Sequence, residues 1–209
     1  MTVRSYNISR EQLDYAKTEA QRQGLDHQIH YIEDDYRNIQ GEYDAFVSVG
    51  MLEHVGKDNY PALSNLIKRC LKPNGIALLH SIGRNRPMLM NAWIEKRIFP
   101  GAYPPSIAEF MQICEHNDFS VLDVENLRLH YAQTLSHWMN NFTRHQDAVT
   151  NLYDERFTRA WRFYLAGSIA AFRAGSLQLF QVVFSHGDNN QVPRTRQDLY
   201  ATPTTPEHP

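Results

Sequence analysis

Short apolar runs that read as strands alternate, almost from end to end, with apolar stripes at helical spacing. This limits the chain to an α/β architecture in which helices pack on a sheet. Thr2 to Ile8 reads as a strand, and Ser9 with Gln12 three residues later forms a capping box opening a helix that stops near Gly24. Strand-like stretches follow at Gln28 to Glu33 and Tyr43 to Val49. Leu63, Leu66, Ile67 and Cys70 then mark one helical stripe, ended by the turn Lys72-Pro73-Asn74-Gly75, before a buried strand from Ile76 to Ser81. Ser106 and Glu109 make a second capping box ahead of the stripe Ile107, Phe110, Met111, Cys114 and a strand from Phe119 to Val124. Residues from about Thr134 to Phe172 read as mainly helical, and Leu177 to Ser185 as a last strand. The pattern predicts a mostly parallel, doubly wound sheet.

At 209 residues and 42% hydrophobic content the chain suffices for one domain with a buried core. Its formal net charge of -2, with Lys and Arg scattered, supplies no field that would gather nucleic acid. Cys70 and Cys114 stand far apart without CxxC spacing, which excludes a zinc ribbon or a disulfide framework and predicts buried thiols. No apolar run approaches the roughly 18 residues of a membrane span, and the start has no signal-peptide core, so a cytoplasmic location is expected. The polar stretch 188–209, ending Thr202-Pro203-Thr204-Thr205-Pro206, is expected to be a mobile tail to a domain spanning 1–187.

Two strand ends carry the polar residues of interest, in the place where open α/β sheets keep their active sites. Ser48-Val49-Gly50-Met51-Leu52-Glu53-His54-Val55-Gly56 presents an acid, and Leu78-Leu79-His80-Ser81-Ile82-Gly83 an imidazole. Alone, Glu53 reads equally well as a carboxylate favoured at a helix N-terminus, and His80 as a hydrogen-bonded core histidine. Together they point to an enzyme. Arg84 to Phe99 mixes Arg84, Arg86, Lys96 and Arg97 with Met88, Leu89, Met90, Trp93, Ile94 and Phe99, and two readings stay open: a lid on anionic headgroups and acyl chains, or a packed connection with solvated charges. His130 and His137 lack a third ligand, so no metal site is expected.

These residues resemble a family, the cyclopropane-fatty-acyl-phospholipid synthases and related mycolic acid cyclopropane synthases, which are S-adenosylmethionine-dependent methyltransferases. The resemblance covers Asn7-Ile8-Ser9-Arg10-Glu11-Gln12, Asp35-Tyr36-Arg37, the two strand ends, Ile98-Phe99-Pro100-Gly101, Tyr131-Ala132-Gln133-Thr134-Leu135 with Trp138, Phe172-Arg173 and Gln181-Val182-Val183-Phe184-Ser185. It implies a Rossmann-like class I methyltransferase sheet with helices on both faces and a helical lipid-site insertion at about 126–172. It implies transfer of the sulfonium methyl to a cis double bond of a phospholipid acyl chain, with a bound bicarbonate taking the proton whose loss lets the ring close. By resemblance Glu53, His80, Ile82 through its backbone and Tyr131 hold bicarbonate, while Asn7, Ile8, Gln12 and Tyr36 contact S-adenosylmethionine. Such donors would offset the desolvation of a small anion in an apolar site. A related lipid methyltransferase leaving a methyl branch is the neighbouring reading. Peripheral contact with the inner face of the membrane is expected, and a homodimer is open.

One departure from the family is large. Its first strand and glycine-rich cofactor loop should precede Thr2, and no two of the ten glycines here are spaced for GxGxxG. The family's cysteine near bicarbonate has no counterpart in Cys70 or Cys114. The absent strand should lie mid-sheet, between Val3–Ile8 and Tyr43–Val49, where each buried unsatisfied backbone group costs about 1–3 kcal/mol. The chain is therefore expected to be a C-terminal portion or a mis-started reading frame, either part of an enzyme or an inactive fragment that docks on a chain supplying the strand.

Overall fold

The structure, a computed structural model, describes residues 1–197. Strand β1 (Val3–Asn7) leads through Ser9, whose hydroxyl accepts from the Gln12 N–H, into helix α1 (Arg10–Arg22). The helix turns its buried residues Leu13 and Ala20 inward and ends before Gly24. Strand β2 (Ile29–Glu33) then pairs parallel to β1, from Val3 opposite Ile29 to Asn7 opposite Glu33.

The second sheet begins with β3 (Tyr43–Val49), followed by the short helix α2 (Leu52–Val55), helix α3 (Tyr60–Cys70) and strand β4 (Leu71–Gly83). β3 and β4 run parallel, with a jump from Tyr43 opposite Leu71 to Ala45 opposite Ile76. The intervening Lys72–Gly75 is the turn expected from its composition, now looped out of the ladder, and the Lys72 ammonium bonds Asp44 at 2.8 Å. After the one-turn-and-a-half helix α4 (Ala92–Arg97) come helix α5 (Ile107–Glu115) and strand β5 (Phe119–Asn126). Helices α6 (Arg128–Arg144), α7 (Gln146–Leu152) and α8 (Glu155–Arg173) precede the last strand, β6 (Gln178–His186). The sheet order is β3-β4-β6-β5, with β6 antiparallel to both neighbours. The alternation of strands and helices is as expected, and its parallel part lies in the β1–β2 and β3–β4 pairs.

Side chains alternate across each strand, and the two faces of this sheet meet different layers. Ala77 and Leu79 of β4, with Val182 and Phe184 of β6, pack against Leu63 and Ile67 of α3 and Phe110 and Ile113 of α5 in the main core. Cys70 and Cys114 are free thiols buried in this core. Complete burial of a large aliphatic or aromatic side chain is worth about 1.5–3 kcal/mol, so these helices are held mainly by this face. The Ser64 hydroxyl adds a 2.6 Å bond to the Ile113 carbonyl, fixing α3 against α5. On the opposite face Ile82 and Leu179 join a second cluster made by Leu135 of α6 and Leu165 and Phe172 of α8.

No ladder joins β1 to β3, so the two sheets stay separate at the place where a strand was expected to be missing. The edges are linked by the Arg4 guanidinium donating to the Tyr43 hydroxyl at 3.4 Å, and by Tyr6 and Tyr36 packing on the main core. On the free edge, Val47 and Val49 of β3 remain about two-thirds exposed. Arg196 donates to Asp123 at 2.5 Å and to the Val124 carbonyl, which fixes that part of the polar stretch on β5. The remainder, with Thr202–Pro206, lies outside the described residues. No helix among the described residues is long and apolar enough to cross a membrane.

The capping box of α5 is also a charged junction. Glu109 is buried and accepts from the Ser106 N–H at 2.9 Å, the Lys57 ammonium at 2.9 Å and the Tyr103 hydroxyl at 2.8 Å. Burial alone would raise its pKa, but the Ser106 N–H, Lys57 and Tyr103 outweigh it and hold the carboxyl at about 2. A folded-state pKa below the unfolded value of about 4.3 gives stability that is present above that value and lost as pH falls towards about 2. Glu109→Gln is therefore expected to lower stability by about 1–3 kcal/mol at neutral pH and to flatten the fall between about pH 5 and pH 2. Urea unfolding across that range checks both.

Candidate active site

The parallel ladder between β3 and β4 ends at Val49 opposite His80, with the Gly50 N–H donating to the His80 carbonyl at 2.8 Å. Gly50 takes φ +66°, a left-handed conformation in which a side chain would be strained, and the chain turns sharply away. That departure leaves the next amide on this edge of β4, the Ile82 N–H, without a strand partner. α2 swings Glu53 into the vacated place, and its Oε1 accepts from the Ile82 N–H at 2.6 Å. A charge-assisted bond of this length substitutes for the lost rung. Glu53 sits in the first turn of α2, where a carboxylate is favoured, but its hydrogen bond goes to β4 and not to the helix.

Glu53 is only 6% exposed, and its second oxygen, Oε2, is buried without a hydrogen-bond partner among the described residues. An unsatisfied buried carboxylate oxygen is costly, and native structures keep few of them. Tyr131, on α6, is half-buried beside Ile82 in the second cluster and meets the Phe172 ring edge-on at 5.0 Å. Burial first, and then the negative field of Glu53, push its hydroxyl above the ordinary tyrosine value, so it stays a proton donor. His80 lies two residues before Ile82 on the same face of β4. Its ring makes no hydrogen bond among the described residues, unlike the satisfied core histidine that was the alternative. Glu53 is thus bonded to Ile82 and lies within the field of Tyr131, with His80 on the adjoining register of β4.

The other four expected residues lie at the carboxyl ends of β1 and β2. The Asn7 amide donates to Gln12 Oε1 at 2.8 Å and its Oδ1 accepts from the Ser9 N–H at 2.8 Å, so Asn7 and Gln12 form one unit. Ile8 stands 77% exposed beside them. Tyr36 begins a single 3-10 turn after β2, leaning on the main core, and burial raises its hydroxyl pKa. The two halves of the expected site are therefore on different sheets, and both are at the carboxyl ends of parallel strands.

Tyr60 was missed from sequence. It is 1% exposed, its hydroxyl has no partner among the described residues, and burial, Glu109, Tyr103 and Glu53 all raise its pKa. Nothing in its local spacing distinguishes it from an ordinary core tyrosine. Tyr164 of α8 has its hydroxyl pKa raised by burial and then by Tyr131. A buried carboxylate oxygen needing a donor, within the field of a tyrosine whose hydroxyl keeps its proton, suits a small group carrying both a hydroxyl and acceptor oxygens. Among the described residues no cluster of three or more His, Cys, Asp or Glu could hold a metal ion.

The family model for mycolic acid cyclopropane synthetase matches residues 1–182. Over 191 residues the chain is 39% identical to a cyclopropane-fatty-acyl-phospholipid synthase of Escherichia coli K12, covering 91% of this chain and 49% of that protein. It is 34% identical over 186 residues to the tuberculostearic acid methyltransferase UfaA1 of Mycobacterium tuberculosis, covering 86% of this chain and 44% of that protein. The chain spans about half the length of these relatives. The solved structure of mycolic acid cyclopropane synthase CmaA1 complexed with SAH and CTAB superposes with a TM-score of 0.80 at 25% identity, covering 88% of this chain and 69% of that one.

The Glu53–Ile82 bond carries a stability prediction. Glu53→Ala leaves a buried amide unpaired and is expected to cost about 1–3 kcal/mol. Glu53→Gln keeps an acceptor in place and should cost clearly less. Thermal or urea unfolding of the two variants side by side distinguishes them, and equal losses would contradict the geometry.

Proposed function

The chain belongs to the mycolic acid cyclopropane synthetase family, and we propose that it forms the acyl-chain half of an enzyme that adds one carbon from S-adenosylmethionine across a cis double bond of a phospholipid acyl chain. When bound, S-adenosylmethionine supplies the methyl group, and bicarbonate the base that takes the proton lost as the ring closes. The observation carrying this reading is the buried Glu53 Oε2, an acceptor with no donor among the described residues. It fits a hydroxyl-bearing oxyanion and would be hard to explain in a purely structural junction.

Each residue has a definable part. The Ile82 N–H, expected from the resemblance to hold bicarbonate, is instead taken by Glu53 Oε1, which fixes the carboxylate and leaves Oε2 for the anion. Glu53 holds the hydroxyl of bicarbonate and so leaves its other oxygens free to act as base. Tyr131, kept protonated by burial and by Glu53, donates to those oxygens, as does the imidazole of His80. The linked Asn7 and Gln12 and the neighbouring Ile8 hold the cofactor's polar part, and Tyr36 offers an aromatic face to its adenine. The substrate is reached from the cytoplasmic surface of the membrane. A methyl-branched product is the second reading, favoured by the likeness to a tuberculostearic acid methyltransferase.

The split between β1 and β3 supports a further part of the proposal. A strand with a following glycine-rich turn, carried on a polypeptide outside these 209 residues, fills the gap and completes the cofactor site. The chain alone is then expected to bind S-adenosylmethionine negligibly in titration calorimetry, and to gain binding when such a segment is fused ahead of Thr2. Micromolar binding by the chain alone would refute that requirement.

With the completed enzyme, Glu53→Gln should lower turnover by about 10²–10⁴-fold, the range for loss of a positioned acid–base system, while cofactor affinity changes little. Mass spectrometry of the lipids reports turnover as a gain of CH₂ on acyl chains, and unchanged turnover would sink the assignment of Glu53.

A further inference from the structure

Residues 86–97 and the first half of α8 build a surface that the proposed site chemistry does not use. Leu89 is 87% exposed, and Phe163 of α8 is 64% exposed with the Trp93 ring of α4 set edge-on to it at 5.0 Å. Between α4 and α8 lies a groove of about 390 Å³ whose walls include Trp93, Phe157 and Trp161 together with Arg97 and Arg156. An apolar surface of this kind, exposed to water without cover, marks a binding face.

The charges around it are unbalanced. Arg86, Lys96, Arg97 and Arg156 are exposed and have neither an ion pair nor a hydrogen bond among the described residues. Exposed cations elsewhere are either paired, as in Arg22 with Glu19, Arg37 with Asp35 and Lys72 with Asp44, or, like Lys17, Lys68 and Arg144, unpaired but spread over separate helices, whereas these four fall within residues 86–97 and the start of α8. The nearby acids are partly committed: Asp154 accepts from the Phe157 N–H at 2.6 Å, and Glu155 pairs with Arg159 at 3.2 Å. Glu95 is the acid of α4 itself, against Lys96 and Arg97.

The same surface is connected to the candidate site. Ring contacts run from the exposed Tyr153 through Phe157, Trp161, Tyr164 and Phe99 to His54, with centroid separations of 4.3, 6.0, 5.1, 5.9 and 5.9 Å. His54 is the residue next to Glu53. We infer that the α4–α8 face is where the protein docks on an anionic lipid bilayer, its aromatic and aliphatic side chains entering the interface and its four unpaired cations meeting the headgroups. Tryptophan and phenylalanine suit the headgroup boundary, and each cation near an anionic surface adds attraction. The inference rests on the proposed function for the lipid nature of the substrate, and it adds which surface approaches that lipid.

Flotation of the full chain with phosphatidylcholine vesicles, and with vesicles of equal parts phosphatidylcholine and phosphatidylglycerol, tests it without cofactor or turnover. Wild type is expected to bind the anionic vesicles more tightly and to lose that preference as salt rises. Leu89→Asp, and separately the pair Arg97→Glu with Arg156→Glu, should weaken this binding by about tenfold or more, the scale expected from several altered interfacial charges. Lys17→Glu on α1 should leave it unchanged, and circular dichroism should show all variants folded. Equal binding of both vesicle types, unaltered binding by the α4–α8 variants, or a chain that dimerises through this face and ignores vesicles would each overturn the inference. Vesicle binding as described in an enzyme that transfers no methyl group would leave this inference standing and sink the proposed reaction. Methyl transfer to detergent-dispersed lipid with no vesicle binding would do the reverse.

Discussion

Strand β4 is hydrogen-bonded on both edges and packed on both faces, and the rest of the molecule is arranged around that condition. Its β3 edge is parallel and its β6 edge antiparallel, while Ala77 and Leu79 serve one core and Ile82 the other. An unpaired amide in this position is costly. Where β3 turns off at Gly50, something polar must take over. The side chain of Glu53 does so, and a structural necessity thereby fixes an acid at the carboxyl end of the sheet.

That arrangement uses one carboxylate oxygen and leaves the other buried and unspent. The surrounding groups are tyrosines whose hydroxyls burial and negative charge keep protonated. A low-dielectric surrounding strengthens any hydrogen bond formed there and penalises any left unmade. Under the proposed function, these residues would favour a small group with both donor and acceptor oxygens, since an apolar one leaves the Glu53 oxygen unpaired.

Much of the fold was legible because its signals are local. The caps at Ser9 and Ser106 involve residues three apart. Ser106 and Glu109 form the full capping box as read. At Ser9 only half of it forms, the Ser9 hydroxyl accepting from the Gln12 N–H while Asn7 takes both the Gln12 side chain and the Ser9 N–H. β3 follows its apolar run from Tyr43 to Val49 without a shift. Pairing was less legible, since the insertion of β6 between β4 and β5 joins residues far apart in sequence. The same holds at the site. Glu53 and His80 stand out as polar tips on apolar runs, whereas Tyr131 came from resemblance alone and Tyr60 from neither. Ile82 contributes an amide that every residue but proline possesses, so only the geometry of the neighbouring strand gives it meaning. Helix α6 begins at Arg128, ahead of the expected Thr134, which puts Tyr131 on a helix whose position is set by packing on Phe172.

The β1–α1–β2 unit has its own ladder and its own buried helix face, yet it meets the larger sheet through a handful of side chains. Proteins open in cooperative units, and a unit held by few cross-contacts opens at lower free energy than the body it rests on. Backbone amides of Val3–Asn7 and Ile29–Glu33 are accordingly expected to exchange as a separate class from those of β4 and β6. If a strand settles between the sheets as proposed, it would join these two classes into one, and ordering of this small unit and completion of the proposed site would become a single thermodynamic event.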